Sequence, residues 1–413
     1  MIQFSNPVLS GVSGRRSSKA VRAHFGANLF PLFLGVLFAA PAAAAAGGTQ
    51  FLVSTSSDVA QAGSVPAVDD GALVRIEAGV SASVRFHQGH WQGVAGLIPG
   101  DIDGMARRPG MDPASHRALA FTLLSDEAGF KDGDVLGLAQ GGGFEVLHFE
   151  SDIQTELGAS GLAIDLDGIA FDDQGRLIFS LQANLASSVI GPLDDGDVLR
   201  LESGGGVSRL FTEADVQSMV SSVTGSSSAI SDVLALEFMN GDVWVSVQSP
   251  SANDGSIFSL GSVPAMVLSE ADAGLGGSEI DALVWSDPIS QKGCLTFDFE
   301  TAAPGAILQA DFDGGTAGHP IAILVAGNSG YFATDGLLAG YGGIYIDLLD
   351  PWFNMFGSVP VISTDSVGGF QRTVTLPANA AGGIGFDGSA GWTFQTIDLM
   401  SLELSAPFRI ELE

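Results

Sequence analysis

Cysteine is nearly absent: Cys294 is alone among 413 residues. That rules out an intramolecular disulfide and any zinc site built on paired cysteines. An unpaired cysteine of this kind reads as a small buried apolar residue. Basic side chains are also scarce, with 16 Lys and Arg against 47 Asp and Glu, a net charge of -31. Such a field repels nucleic acid and anionic membrane and suits cations or basic partners. Nucleophile and nucleotide signatures are missing: there is no G-x-S-x-G, no P-loop and no dinucleotide fingerprint. Long apolar runs stop at residue 46, so no transmembrane segment is expected beyond it.

The first 46 residues read as an export signal. Arg15, Arg16, Lys19 and Arg22 precede the apolar stretch 29–46, which ends in small residues and offers cleavage after Ala42 or Ala46. Pro31, Pro41 and the alanine-rich end argue against an uncleaved anchor. The paired arginines resemble a twin-arginine signal, but Ser17 and Ser18 stand where a hydrophobic pair belongs, so that route and the general secretory one both stay open. Removing this segment takes away four basic and no acidic residues, leaving 16 − 4 = 12 basic against 47 acidic, a net of −35. The expected location is secreted, periplasmic or at the cell surface.

What the chain has is glycine, 56 residues of it, and a repeat. Residues 51–76, 119–138, 176–201 and 242–260 each run through an alternating apolar segment, a polar loop, an Asp-Gly pair and a second alternating segment. Asp-Gly is a strong turn former, and period-two alternation predicts strands. The pairs are Asp70-Gly71, Asp132-Gly133, Asp195-Gly196 and Asp254-Gly255, spaced 62, 63 and 59 residues apart. A second marker reads DIDGMA (101–106), DLDGIA (165–170), DVLALE (232–237) and EIDALV (279–284). The first unit has no marker before it, and the last marker has no unit behind it. If residues 279–284 pair beside residues 51–54, every repeat is complete and no edge stays open.

That arrangement predicts a four-bladed β-propeller over residues 47–290, with about 60 residues per blade. An open β-solenoid or a pair of sandwiches is the competing architecture. The DIDG and DLDG openings, the GRLIFS strand and the DDGDVLRL turn resemble repeats of secreted bacterial β-propeller proteins over about residues 50–290. The resemblance implies fold and not activity. Residues 291–413 lose the Asp-Gly rhythm but hold several strand-like segments, which predicts an all-β C-terminal domain, a β-sandwich.

Carboxylates recur at the markers. Asp101, Asp165, Asp232 and Glu279 take the first position; Asp103, Asp167 and Asp281 take the third, where one repeat has Leu234. Simple alternation puts both positions on one side of a strand, so rotation about an axis would make a ring of up to seven carboxylates. Close like charges raise pKa values or admit a cation, and hard oxygen ligands favour Ca²⁺, or Mg²⁺ with waters. Strand capping is the competing role for these residues. The Asp-Gly turns, including Asp194 to Asp197, need no metal. Glu150-Ser151-Asp152, Glu213-Ala214-Asp215 and Glu270-Ala271-Asp272 read as starts of short helical turns. His87 and His90, in FHQGHW, have a spacing that could hold a transition metal but no third ligand; an ordinary polar loop or aromatic stacking is the favoured reading. The insertion 106–117 carries Arg107, Arg108 and Arg117 on the face away from the ring, where it could meet an acidic partner or simply the acidic domain that follows. These features suggest an exported, non-catalytic protein that binds a ligand, a glycan or another protein, or that adheres to a surface. A metal-dependent hydrolase, lactonase-like or glycan-cleaving, and a structural cell-surface component are the alternatives.

Overall fold

A strand from the far end of the repeats completes the first sheet. The computed structural model describes residues 50–412 apart from 60–67, 112–115, 286–293, 334–342, 347–360 and shorter gaps; residues 1–46, read above as an export signal, lie outside the described residues. Strands β1 (Gln50–Thr55), β2 (Leu73–Glu77) and β3 (Ser81–Phe86) are followed by helix α1 (Gln88–Ala95). Then come β4 (Ile102–Arg107), β5 (Leu119–Leu123), β6 (Val135–Leu138), β7 (Phe144–His148) and α2 (Glu150–Leu157). The next repeat holds β8 (Leu166–Phe171), β9 (Leu177–Leu181), β10 (Val198–Leu201), β11 (Val207–Phe211) and α3 (Glu213–Thr224). The last holds β12 (Asp232–Met239), β13 (Asp242–Gln248), β14 (Ile257–Ser259), β15 (Ala265–Leu268), α4 (Glu270–Ala273) and β16 (Ile280–Trp285).

These strands form four antiparallel sheets of four, in the orders β16-β1-β2-β3, β4-β5-β6-β7, β8-β9-β10-β11 and β12-β13-β14-β15. In the first, Phe51 pairs with Trp285, Leu52 with Val284 and Val53 with Leu283. The strand leading each sheet lies against its neighbours: β4 against β8, β8 against β12, β12 against β16, and β16 against β4. The apolar faces follow the same order. One core cluster joins Leu52, Phe86 and Val284 to Ile102 and Phe121, and the next joins Ala106 and Val135 to Leu166 and Phe179. A third joins Ala170 and Ile178 to Val233 and Val245, and a fourth joins Ala235 and Ile257 to Phe51 and Val74. Alternation thus buries both faces of each sheet, one against each neighbour.

Turn chemistry sets the register. Between β8 and β9, Asp172 Oδ1 accepts from the N–H groups of Gln174 and Arg176, both at 2.9 Å. Gly175 supplies the positive φ, 75°, that the turn requires.

Among the described residues, the C-terminal region builds three further sheets. Its strands are β17 (Cys294–Phe297), β18 (Thr301–Ala302), β19 (Ile307–Asp313), β20 (Pro320–Ala326), β21 (Ser329–Ala333), β22 (Gly343–Ile346), β23 (Val361–Ser363), β24 (Phe370–Thr375), β25 (Gly383–Ile384), β26 (Ala390–Asp398) and β27 (Phe408–Leu412). Sheets β17-β19-β24 and β18-β27-β26-β20-β23 share one core, in which Leu295, Leu308 and Phe312 meet Ile323, Trp392, Phe394 and Ile410. The third sheet is the β21–β22 pair. β27 also docks on α1. A Cβ on Gly89 would sit 2.4 Å from the Phe408 ring, and one on Gly93 would sit 2.6 Å from the Pro407 carbonyl oxygen. Two glycines four apart share a helix face, so that face admits the incoming strand. The expected polar loop around His90 is therefore a buried helix. His90 stacks on Phe86, meets Phe408 edge-on, and places Nε2 3.8 Å from Cys294 Sγ. His87 lies outside the described residues. Among the described residues no helix is long and apolar enough to cross a membrane.

Candidate functional site: an acidic cluster at the strand starts

Each leading strand begins with its acidic marker, and each carries a β-bulge at the same place. In β4, Ile102 pairs with Leu123 and Gly104 with Thr122, leaving Asp103 as the extra residue. In β16 the extra residue is Asp281, and in β12 it is Leu234. β8 shifts register between Leu166 and Ile169, across Asp167. A bulge twists a strand and re-aims the side chain it inserts. A small residue follows each time: Gly104, Gly168, Ala235 and Ala282. The reason is contact with the next sheet. A Cβ on Gly104 would lie 2.5 Å from the Asp167 carbonyl oxygen, and one on Gly168 would lie 2.8 Å from Leu236 Cγ. Ser180, buried on β9, secures the β8 bulge. Its Oγ accepts from Gly168 N at 2.8 Å and donates to Val233 O on the neighbouring sheet at 2.9 Å.

Five of the seven candidate carboxylates act on one another. Asp103 is 4% exposed. Burial first, then the charges of Asp165, Asp101 and Asp232, push its pKa up to about 8. Asp167 is driven well above the usual carboxylate range by burial and by Asp103 and Asp232, and it shares a side-chain hydrogen bond with Asp232. Asp165 and Asp232 both rise to about 7, again mainly through burial. Asp103 Oδ2, Asp165 Oδ1 and Asp167 Oδ2 are buried and accept no hydrogen bond. Glu279 instead accepts from Gln248 Nε2 at 3.2 Å, and Asp281 is buried at the β16 bulge. Among the described residues, no group of three or more His, Cys, Asp or Glu is arranged to hold a metal ion.

A second set of aspartates, of which the sequence reading named only Asp197, links turns to helices. Asp134 and Asp197 directly follow the Asp-Gly pairs of two repeats. Asp134 Oδ1 accepts from Glu150 N at 2.8 Å, and Asp197 Oδ1 accepts from Glu213 N at 2.9 Å. Each ties its turn to the start of α2 or α3, where free N–H groups favour a carboxylate. The repeated D-G-D string was the available signal. These contacts show the turn at residues 194–197 held by backbone and side-chain bonds of its own.

At the other end of the leading strands, about 17 Å away at ~3.3 Å per residue, stands one more buried acid. Glu237 accepts from Trp285 N at 2.7 Å and Phe238 N at 2.8 Å. Burial raises its pKa to about 7, against the pull of those N–H groups and of Arg107. It holds the sixth marker position, where the other repeats have Ala106, Ala170 and Val284.

No family model matches the chain, and no curated protein matches it. Among solved structures, it is similar to the sporulation control protein Spo0M from Bacillus subtilis, at 15% identity over 30% of this chain and 49% of that one, with a TM-score of 0.17. It is also similar to a fungal alcohol oxidase of the AA5 family in complex with copper, at 10% identity over 87% of this chain and 62% of that one, with a TM-score of 0.17. The chain spans about half of the first protein's length and about three fifths of the second's. Scores this low carry no argument about fold or function.

Proposed function

We propose that the four repeat sheets form a closed four-bladed β-propeller, that residues 291–413 form a β-sandwich seated on it, and that the chain is an exported, non-catalytic binding or adhesion protein with a cation-responsive acidic mouth. The β1–β16 pairing and the round of contacts among β4, β8, β12 and β16 support the propeller. One observation carries the function: carboxylates of three neighbouring sheets act on one another, and Asp103 Oδ2, Asp165 Oδ1 and Asp167 Oδ2 are buried and accept no hydrogen bond. Buried polar atoms without partners are costly. Protons relieve that cost at low pH. Above the raised pKa values, a hard divalent cation such as Ca²⁺ relieves it. With no three carboxylates grouped as ligands, the protein would supply one or two oxygens and water the rest, a mode Mg²⁺ also accepts.

Thermal melting at pH 8 tests this reading. Millimolar Ca²⁺ should raise the melting temperature relative to EDTA, since a ligand at about a hundred times its Kd adds about 2.7 kcal/mol. Asp167→Asn should remove the increment. An unchanged melting temperature with and without Ca²⁺ would exclude the cation.

A further inference from the structure

At the opposite end of the leading strands, all four sheets contribute to one open cavity of about 450 Å³. The chain ends of β4, β8, β12 and β16 bring to it Arg107, Phe171, Asp173, Phe238, Asn240 and Trp285. A second cavity of about 450 Å³ adjoins it and shares Asp172, Asp173 and Phe238. Together they make a groove that starts where the four sheets meet and continues between the β8–β11 and β12–β15 sheets. Each volume falls within the range of small-molecule pockets, roughly 300–1,000 Å³.

The lining decides the ligand class. Phe171, Phe238 and Trp285 are half-buried, offering apolar surface beside polar groups. Neighbours hold Trp285 in place: its ring meets Phe51 at 5.4 Å and Trp244 at 4.9 Å, both edge-on. The polar groups are of both kinds. Arg107 is a pure donor and Asp173 a pure acceptor, while the Asn240 amide is both. Other charges on this face are already engaged. Arg108 bonds Glu145 at 2.7 Å, and Arg176 bonds both Asp172 and Glu202. A simple anion would find Arg107 but would also meet Asp173, Glu237 and the chain's large negative charge. A polyhydroxylated ring suits the whole set. Its C–H face lies against aromatic surface, and its hydroxyls both donate to Asp173 and accept from Arg107.

We propose that this groove binds a neutral carbohydrate chain, one sugar unit at the mouth formed by Arg107, Asp173 and Trp285 and further units along the adjoining cavity. The site is separate from the acidic cluster and needs no cation.

The test uses the chain with neutral oligosaccharides of glucose, mannose, xylose and N-acetylglucosamine, and oligogalacturonate as an acidic series. Binding is followed by tryptophan fluorescence and calorimetry, in EDTA and in Ca²⁺. At least one series should bind with a Kd near or below about 1 mM, more tightly as the chain lengthens, and equally in EDTA. Asp173→Ala, at an exposed position, should weaken that binding tenfold or more with the melting temperature unchanged, and Arg107→Gln should weaken it at least as much. No binding by any series at about 10 mM, a range that covers very weak sites, would overturn the proposal. So would binding that survives both substitutions, or binding confined to acidic sugars. Loss of sugar binding in EDTA alone would move the site to the acidic cluster and also overturn it.

Discussion

Replacing Asp103 by asparagine isolates the electrostatic cost of the acidic cluster. The carboxyl is 4% exposed, its Oδ2 accepts no hydrogen bond, and its pKa is raised to about 8 by burial and neighbouring acids. In the unfolded chain the same group titrates near its ordinary value, 3.8. Between those two values the folded protein holds a proton that the unfolded chain has released. Unfolding then releases protons, so stability falls as pH rises and levels off above the folded pKa. Each such proton is worth about 1.4 kcal/mol per pH unit, or about 4 kcal/mol from pH 5 to pH 8. Asp165, Asp167 and Asp232 rise in the same direction. Their contributions do not simply add, because each raises the others.

Asparagine keeps the shape of the side chain and removes its charge. Asp103→Asn should match the native protein at pH 5 and exceed it by about 2 kcal/mol at pH 8, a discounted share of the full linkage. It should also flatten the slope between them. Urea midpoints at pH 5, 6, 7 and 8 in EDTA and low salt would show this. EDTA matters, because a bound cation would mask the slope. Native stability that is flat or rising over that range would refute the reasoning, as would an asparagine variant with the native slope. Either result would mean that these carboxylates ionise in water rather than in a shared buried space.

Two further outcomes probe the scaffold. Ser180→Ala strips the partners from Gly168 N and Val233 O, both at the β8–β12 junction, and should cost about 2 kcal/mol in urea unfolding; a change below about 0.5 kcal/mol, the range of ordinary surface substitutions, would remove the hydroxyl from that role. Gly93→Ala should gain about 1 kcal/mol from helix propensity if α1 stood alone. Its Cβ would instead sit 2.6 Å from Pro407 O, so the melting temperature should fall and protease should release the C-terminal region sooner. A more stable variant would show that β27 does not seat there.

The strand plan was legible because its signal is repeated. A marker without a unit and a unit without a marker imply that the first and last strands pair, and Phe51 pairs with Trp285. The acidic markers were legible as positions but not as a geometry. Alternation assigned Asp101 and Asp103 to one side of a strand. The bulge makes Asp103 an extra residue, and the rule does not survive an inserted residue. Nothing in the apolar pattern marks a bulge, because alternation resumes on both sides of it. The available clue was the small residue after it, Gly104, Gly168, Ala235 or Ala282, which reads as turn chemistry until a neighbouring sheet is there to collide with. The groove at the other end was harder still. Its residues come from four separate strand ends, so no local window contains two of its sheets. The available clue was Glu237, an acid where the other three markers carry Ala106, Ala170 and Val284. A polar residue in an apolar register needs partners. Here they are the backbone N–H groups of Phe238 and Trp285. The bond to Trp285 ties β12 to β16 at the rim of the groove. The aberrant position therefore marked the end of the molecule where four sheets open onto solvent, opposite the end that the conspicuous aspartates had drawn attention to.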